Sequence, residues 1–118
     1  MAKTAGRTTE RSSPDFKRDG DVAYVACSAE PGMFKDELLI FIEGVDPERP
    51  DKPLVAQVLV DADLVRSVHG TPQRGRPVAC ALKVGLVRIT GGVATIVLPQ
   101  SGIPVGESML VKTDLLTR

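Results

Sequence analysis

The sequence predicts an all-β protein: a small closed or partly open barrel of about six strands, with one short helix between strands 3 and 4. Three observations carry this. Apolar residues alternate or cluster in short runs of strand length, from Val22–Ser28 through Val93–Leu98. Turn residues separate the runs: Pro31-Gly32, the proline-rich stretch Asp46–Pro53, and Gly91-Gly92. Only one stretch, around Leu64 and Val65, spaces its apolar residues as a helix does.

The elements follow in order. Val22–Ser28 is β-branched and small, and Glu30-Pro31-Gly32-Met33 after it has type II turn chemistry. Glu37–Glu43 is a bounded apolar run that suits a buried strand. Asp46–Pro53 holds three prolines and is expected as an exposed, extended loop. Leu54–Val60 resumes as a strand. Asp61 then reads as an N-cap, Val60, Leu64, Val65 and Val68 fall at helical spacing, and Gly70 closes, predicting a helix over Ala62–His69. Val78, Cys80, Leu82, Val84 and Leu86 alternate on one face of the longest strand; the parity then changes, which places a bulge near Gly85. Thr90-Gly91-Gly92 is a tight hairpin turn, and Val93–Leu98 and Ser108–Leu116 complete the set. Three strands, a helix and further strands resemble the layout of an OB-fold barrel with a sixth strand appended. No internal repeat is evident at this level.

The chain has 118 residues, enough for one domain. Residues 1–20 hold little that can be buried, with Phe16 the one large apolar side chain after Met1, and are expected to form a disordered basic tail. Residues 21–118 are expected to form the single β-barrel domain. Its core must be aliphatic, because Trp is absent, Tyr24 is the only tyrosine, and Phe occurs only at 16, 34 and 41. The same scarcity argues against stacking on the bases of single-stranded nucleic acid.

Net charge is zero, but unevenly distributed. Eight acids lie between Asp36 and Asp63 against Arg49 and Lys52, whereas Leu64–Gly106 holds five bases and no acid. Two faces of opposite sign would suit a polyanion or a neighbouring copy. No run of about 18 apolar residues offers a membrane-spanning helix, no secretory leader is recognisable, and a cytoplasmic location is expected.

Candidate chemistry is sparse. His69 is the only histidine, so any hydrolase-type site of the Ser/His or Cys/His kind would run through it. At a helix C-terminus it would favour the imidazolium over a general base. Cys27, His69 and Cys80 lack the paired spacing of a zinc site, and no cofactor or metal is expected. The two cysteines sit in apolar runs and are expected as reduced, buried thiols. Pro47, Pro50 and Pro53 form overlapping P-x-x-P units, read as a stiff loop before a polyproline ligand. Met33 and Phe34 either fold back over the barrel end or stand out as a contact patch.

Arg74-Gly75-Arg76-Pro77 resembles the core of an AT-hook, in which an extended Arg-Gly-Arg lies in a narrow minor groove. The resemblance covers four residues, with Gln73 where such motifs often carry proline. It implies that Arg74, Gly75, Arg76 and Pro77 meet duplex DNA. Apart from the resemblance, Arg66 and His69 belong to the same basic stretch and are expected to join such an interface, the N-terminal tail assisting. The reading set ahead of it is a non-catalytic protein-interaction or assembly module, with an unidentified protein or a second copy as partner.

Overall fold

The computed structural model describes residues 21–118; the expectation of a basic tail over 1–20 lies outside the described residues. The strands are β1 (Val22–Pro31), β2 (Glu37–Val45), β3 (Pro53–Asp61), β4 (Val65–Arg66), β5 (Val78–Thr90), β6 (Val93–Gly102), β7 (Gly106–Lys112) and β8 (Leu116–Thr117). Strands β1, β2, β7, β6 and β5 pair in that order, all antiparallel, and β5 returns to β1 to close a five-stranded barrel. Strand β3 lies beside β2, β4 pairs with β5, and β8 with β1.

The predicted barrel is therefore present, with corrections. The helix expected over Ala62–His69 is a single 3-10 turn, Ala62–Leu64. Asp61 does cap it, its Oδ1 accepting from the Asp63 amide at 3.2 Å. The chain then bends straight into β4, because Val65 and Arg66 complete a ladder with Leu82 and Ala81. Two ladder pairs and the half-burial of Leu64 and Val65 against the core outweigh the weak helical spacing. The last strand likewise divides: β7 ends at Lys112, a second 3-10 turn spans Thr113–Leu115, and β8 follows.

Three smaller expectations also change. Gly32 ends β1 without a type II turn; the reversal runs over Met33–Asp36, where the Glu37 amide donates to the Phe34 carbonyl at 3.1 Å. The register shift of β5 falls between Leu86 and Arg88, so Val87 and not Gly85 is the bulge residue. The Asp46–Lys52 loop is exposed but not extended: Arg49 donates to Asp46 and Lys52 to Arg49, coiling it into successive turns. The Gly91-Gly92 hairpin is as expected, both residues having positive φ (60° and 82°), the type I′ condition.

The two halves of the chain repeat one another. Strands β1, β2, β3, a 3-10 turn and β4 are followed by β5, β6, β7, a 3-10 turn and β8. Val65 of β4 pairs with Leu82, and Leu116 of β8 pairs with Val25. Val25 and Leu82 are themselves partners. Exchanging the halves therefore maps this pair onto itself, which is an approximate two-fold axis through the β1–β5 seam. Each 3-10 turn is tied back in the same way: Ala62 donates to the Asp36 carbonyl at 2.8 Å and Thr113 to the Gly92 carbonyl at 2.9 Å.

The repeat, not evident from the sequence, is legible once the register is known. Leu59-Val60 and Asp63-Leu64 match Leu110-Val111 and Asp114-Leu115. The core is built of equivalent pairs: Val25 with Leu82, Ile40 with Ile96, Val58 with Met109 and Val60 with Val111, all buried. Elsewhere the equivalent residues differ, so no run of identities marks the repeat.

Candidate functional site

The repeat is broken in the loops, and a cleft lies where it breaks. Under the two-fold, the meeting of β2 with β7 corresponds to the meeting of β3 with β6. The first is made at Val45↔Leu110. The second is made only at Gln57↔Ile103, where each residue's amide donates to the other's carbonyl, at 2.9 and 2.8 Å. Past this point Leu59–Asp61 and Gln100–Ser101 do not pair. The wall opens there into a cleft of about 1020 Å³.

Its apolar lining comes from Phe34, Leu39, Leu59 and Ile103, and its charge from Lys35, Asp36, Glu37 and Asp61. Phe34 and Ile103 are 73% and 75% exposed, unusual for side chains of this size. Met33 beside Phe34 is also exposed. Both stand out instead of folding back over the barrel, because the loop is pinned beneath them. Glu37 Oε1 accepts from the Met33 and Phe34 amides at 2.9 and 3.3 Å. Gly32 donates to the Glu37 carbonyl at 2.9 Å. The carboxylate thus satisfies two loop donors and holds the apolar side chains outward.

The corresponding end of the other half, where Val45 meets Leu110, holds a smaller cavity of about 280 Å³; Gly44, Val45 and Lys112, the equivalents of Gln100, Ser101 and Asp61, line it together with Glu43 and the loop Pro50–Pro53. The first half carries seven residues between β2 and β3; the second carries only Ile103-Pro104-Val105 between β6 and β7. One cleft is walled by the chain's own proline-bearing loop. The other has no such loop.

The basic candidates lie apart from one another. Arg66 projects from β4 with its guanidinium 3.5 Å from the Tyr24 ring centroid, donating to the Arg118 carbonyl at 3.0 Å and to Thr117 Oγ1 at 3.5 Å. It staples β4 to β8 across the seam. Arg118 in turn reaches Asp21 Oδ1 at 3.3 Å. Replacing Arg66 with Ala is expected to cost about 0.5–1 kcal/mol of stability through the lost cation–π contact, read by urea denaturation. An unchanged midpoint would show the staple to be idle.

Arg74 and Arg76 are exposed on a turn in which Arg76 donates to the Gln73 carbonyl at 2.9 Å and Gly75 has φ of 80°. The segment resembling an AT-hook is thus folded back, not extended, and Pro77 follows it into β5. His69 is exposed and follows an extended strand, so the helix-end argument for its imidazolium falls away; its amide donates to the Ala79 carbonyl at 3.0 Å. Among the described residues no hydrogen bond joins the His69 ring to a carboxylate or a thiol, and no group of three metal-ligating side chains gathers. Nor is any helix long and apolar enough to cross a membrane.

Of the residues singled out in the sequence, Met33 and Phe34 belong to the cleft loop, whereas Arg66, His69 and Arg74–Pro77 do not line the cleft. The sequence reading missed Ile103, Leu59 and Asp36. Ile103 carried a signal: a large apolar residue in a loop, next to Pro104, with no alternating partner.

Comparison with known families, curated proteins and solved structures returns no match for this chain. The fold and the cleft define its class: an all-β protein of two repeated halves, a closed five-stranded barrel with extra strands and a cleft between the added β3 and β6.

Proposed function

We propose that the chain is a non-catalytic interaction module whose β3–β6 cleft holds an extended segment of a partner polypeptide. The observation that carries this is the exposed pair Phe34 and Ile103 flanking an unzipped stretch of barrel wall. A strand edge with unpaired backbone groups and apolar side chains on either side is the setting for strand addition. Backbone hydrogen bonds would supply affinity there, and the side-chain positions selectivity.

The lining favours a partner segment that alternates apolar and basic residues. Three carboxylates, Asp36, Glu37 and Asp61, face one Lys35. Glu37 and Asp61 are partly occupied by backbone amides, which leaves Asp36 as the main anionic contact.

Selection from a displayed library of random peptides tests this. Enrichment of apolar–basic sequences that bind the native protein and lose at least tenfold in affinity for the variant Phe34→Asp with Ile103→Asp is the expected result. Both side chains are exposed, so the variant should unfold as the native protein does. No enrichment, or binders indifferent to the two substitutions, overturns the proposal. The duplex-DNA reading draws on exposed Arg74 and Arg76 alone, since Arg66 is engaged by Tyr24 and Arg118; salt-sensitive binding lost on Arg74→Ala with Arg76→Ala would restore it.

A further inference from the structure

Cys27 and Cys80 face each other directly across the β1–β5 ladder, two residues along from the two-fold pair Val25↔Leu82 on the same face of the sheet. Their sulfurs are 3.5 Å apart and both thiols are free. Opposed residues on antiparallel strands have Cα atoms about 4.5–5.5 Å apart, already inside the range of about 4.4–6.8 Å that a disulfide spans. Bond formation therefore needs side-chain rotation and little movement of the backbone. Cys80 is buried and Cys27 is half-buried, so the pair is within reach of a small reagent and poorly accessible to a large one.

The geometry points to an oxidant-reactive dithiol site at the seam of the two halves, which a hydroperoxide converts to an intramolecular disulfide between Cys27 and Cys80. The pair is asymmetric in a way that suits the reaction. The hydrogen bond to Cys80, together with burial, pushes the Cys27 thiol well above its ordinary range. The same hydrogen bond holds Cys80 below its ordinary value, against the opposing effect of burial. Cys80 is the sulfur that more readily becomes the thiolate, and the thiolate is the nucleophile.

The chemistry balances. The Cys80 thiolate, its proton released to solvent, attacks the terminal oxygen of the hydroperoxide. The O–O bond breaks, Cys80 becomes a sulfenic acid, and the departing alkoxide takes a proton to leave as an alcohol. The Cys27 sulfur then attacks the Cys80 sulfur; the S–O bond breaks and the hydroxide leaves as water with the Cys27 proton. Two thiols lose two electrons and one hydroperoxide gains them. The product covalently joins β1 to β5, and so half to half, at the seam on which β4 and β8 also rest.

The full chain treated with a few equivalents of hydrogen peroxide is the test. Free thiols are expected to fall from two to none, with the mass lowered by two hydrogens and the chain remaining free of intermolecular crosslinks on a non-reducing gel. Dithiothreitol should restore both thiols. In Cys27→Ser, Cys80 should stop at a sulfenic acid that dimedone traps, because the resolving sulfur is gone. Two unreacted thiols, crosslinked dimers in place of the internal bond, or sulfinic acid as the main product of the native chain would each overturn the proposal.

Discussion

Truncating Leu82 to alanine is expected to lower the unfolding free energy by about 2–5 kcal/mol, the range for removing a large aliphatic side chain from a core that cannot collapse onto the gap. Leu82 is fully buried at the approximate two-fold axis. It is the ladder partner of Val25 on one side and of Val65 on the other. Side chains from both halves pack around it, so relaxation of one half is resisted by the other. Urea denaturation reads the effect as a shift in midpoint at constant slope. Leu59→Ala is the control: the same chemistry on a residue 37% exposed should cost well under half as much. Equal losses at the two sites would mean that the seam is not the centre of the core.

Replacing Gly44 with alanine is expected to cost about 1–3 kcal/mol, the usual range for forcing extra atoms into a packed interior. A Cβ at this position would collide with Met109 Cε and lie 2.7 Å from the Leu110 carbonyl oxygen. Met109 can rotate away, but the carbonyl is backbone. Gly44 immediately precedes Val45, whose pairing with Leu110 is where β2 and β7 close the barrel. The strain therefore falls on the closure itself. Amide exchange at Val45 and Leu110 should accelerate more than exchange along β1 and β5. Gly91→Ala gives the contrast: space is free around it, and only its positive φ opposes a side chain, so roughly 1 kcal/mol is expected. Unchanged exchange at the closure would show that β2 and β7 tolerate a wider separation.

The two-fold organisation explains how a chain with so few aromatic residues forms a barrel. Each half offers three long strands and one short one, and neither can bury its inner face alone. Paired across β1 and β5, the halves bring equivalent aliphatic side chains together, with Ile40 and Ile96 both fully buried. The short strands take the free edges of β1 and β5 at Tyr24–Val25 and Ala81–Leu82, before those strands pair with β2 and β6 respectively. Most edges are thereby closed, which limits unwanted pairing. The edge of β3 at Leu59–Asp61 stays open, and near it lie the exposed side chains of Phe34 and Ile103.

The features legible from the residues alone are local. Alternation from Val78 to Leu86 marks an inner face, and Cys80, Leu82, Val84 and Leu86 all point inward. Gly91-Gly92 admits the positive φ of a tight turn without strain, and Asp61 caps the residues after it because a carboxylate two positions before an amide reaches it without help from elsewhere. These outcomes depend on neighbours in the chain. The 3-10 turns, the two-residue strands and the bulge at Val87 were decided by partners far away in sequence. Val65 reads as helical until Leu82 offers it a ladder, and Leu116 reads as a continuing strand until Val25 draws it to another edge. The cleft was decided later still. It goes with a difference in loop length between two halves whose correspondence is visible only in their register, and a residue such as Ile103 becomes part of a site because the strands beside it do not pair.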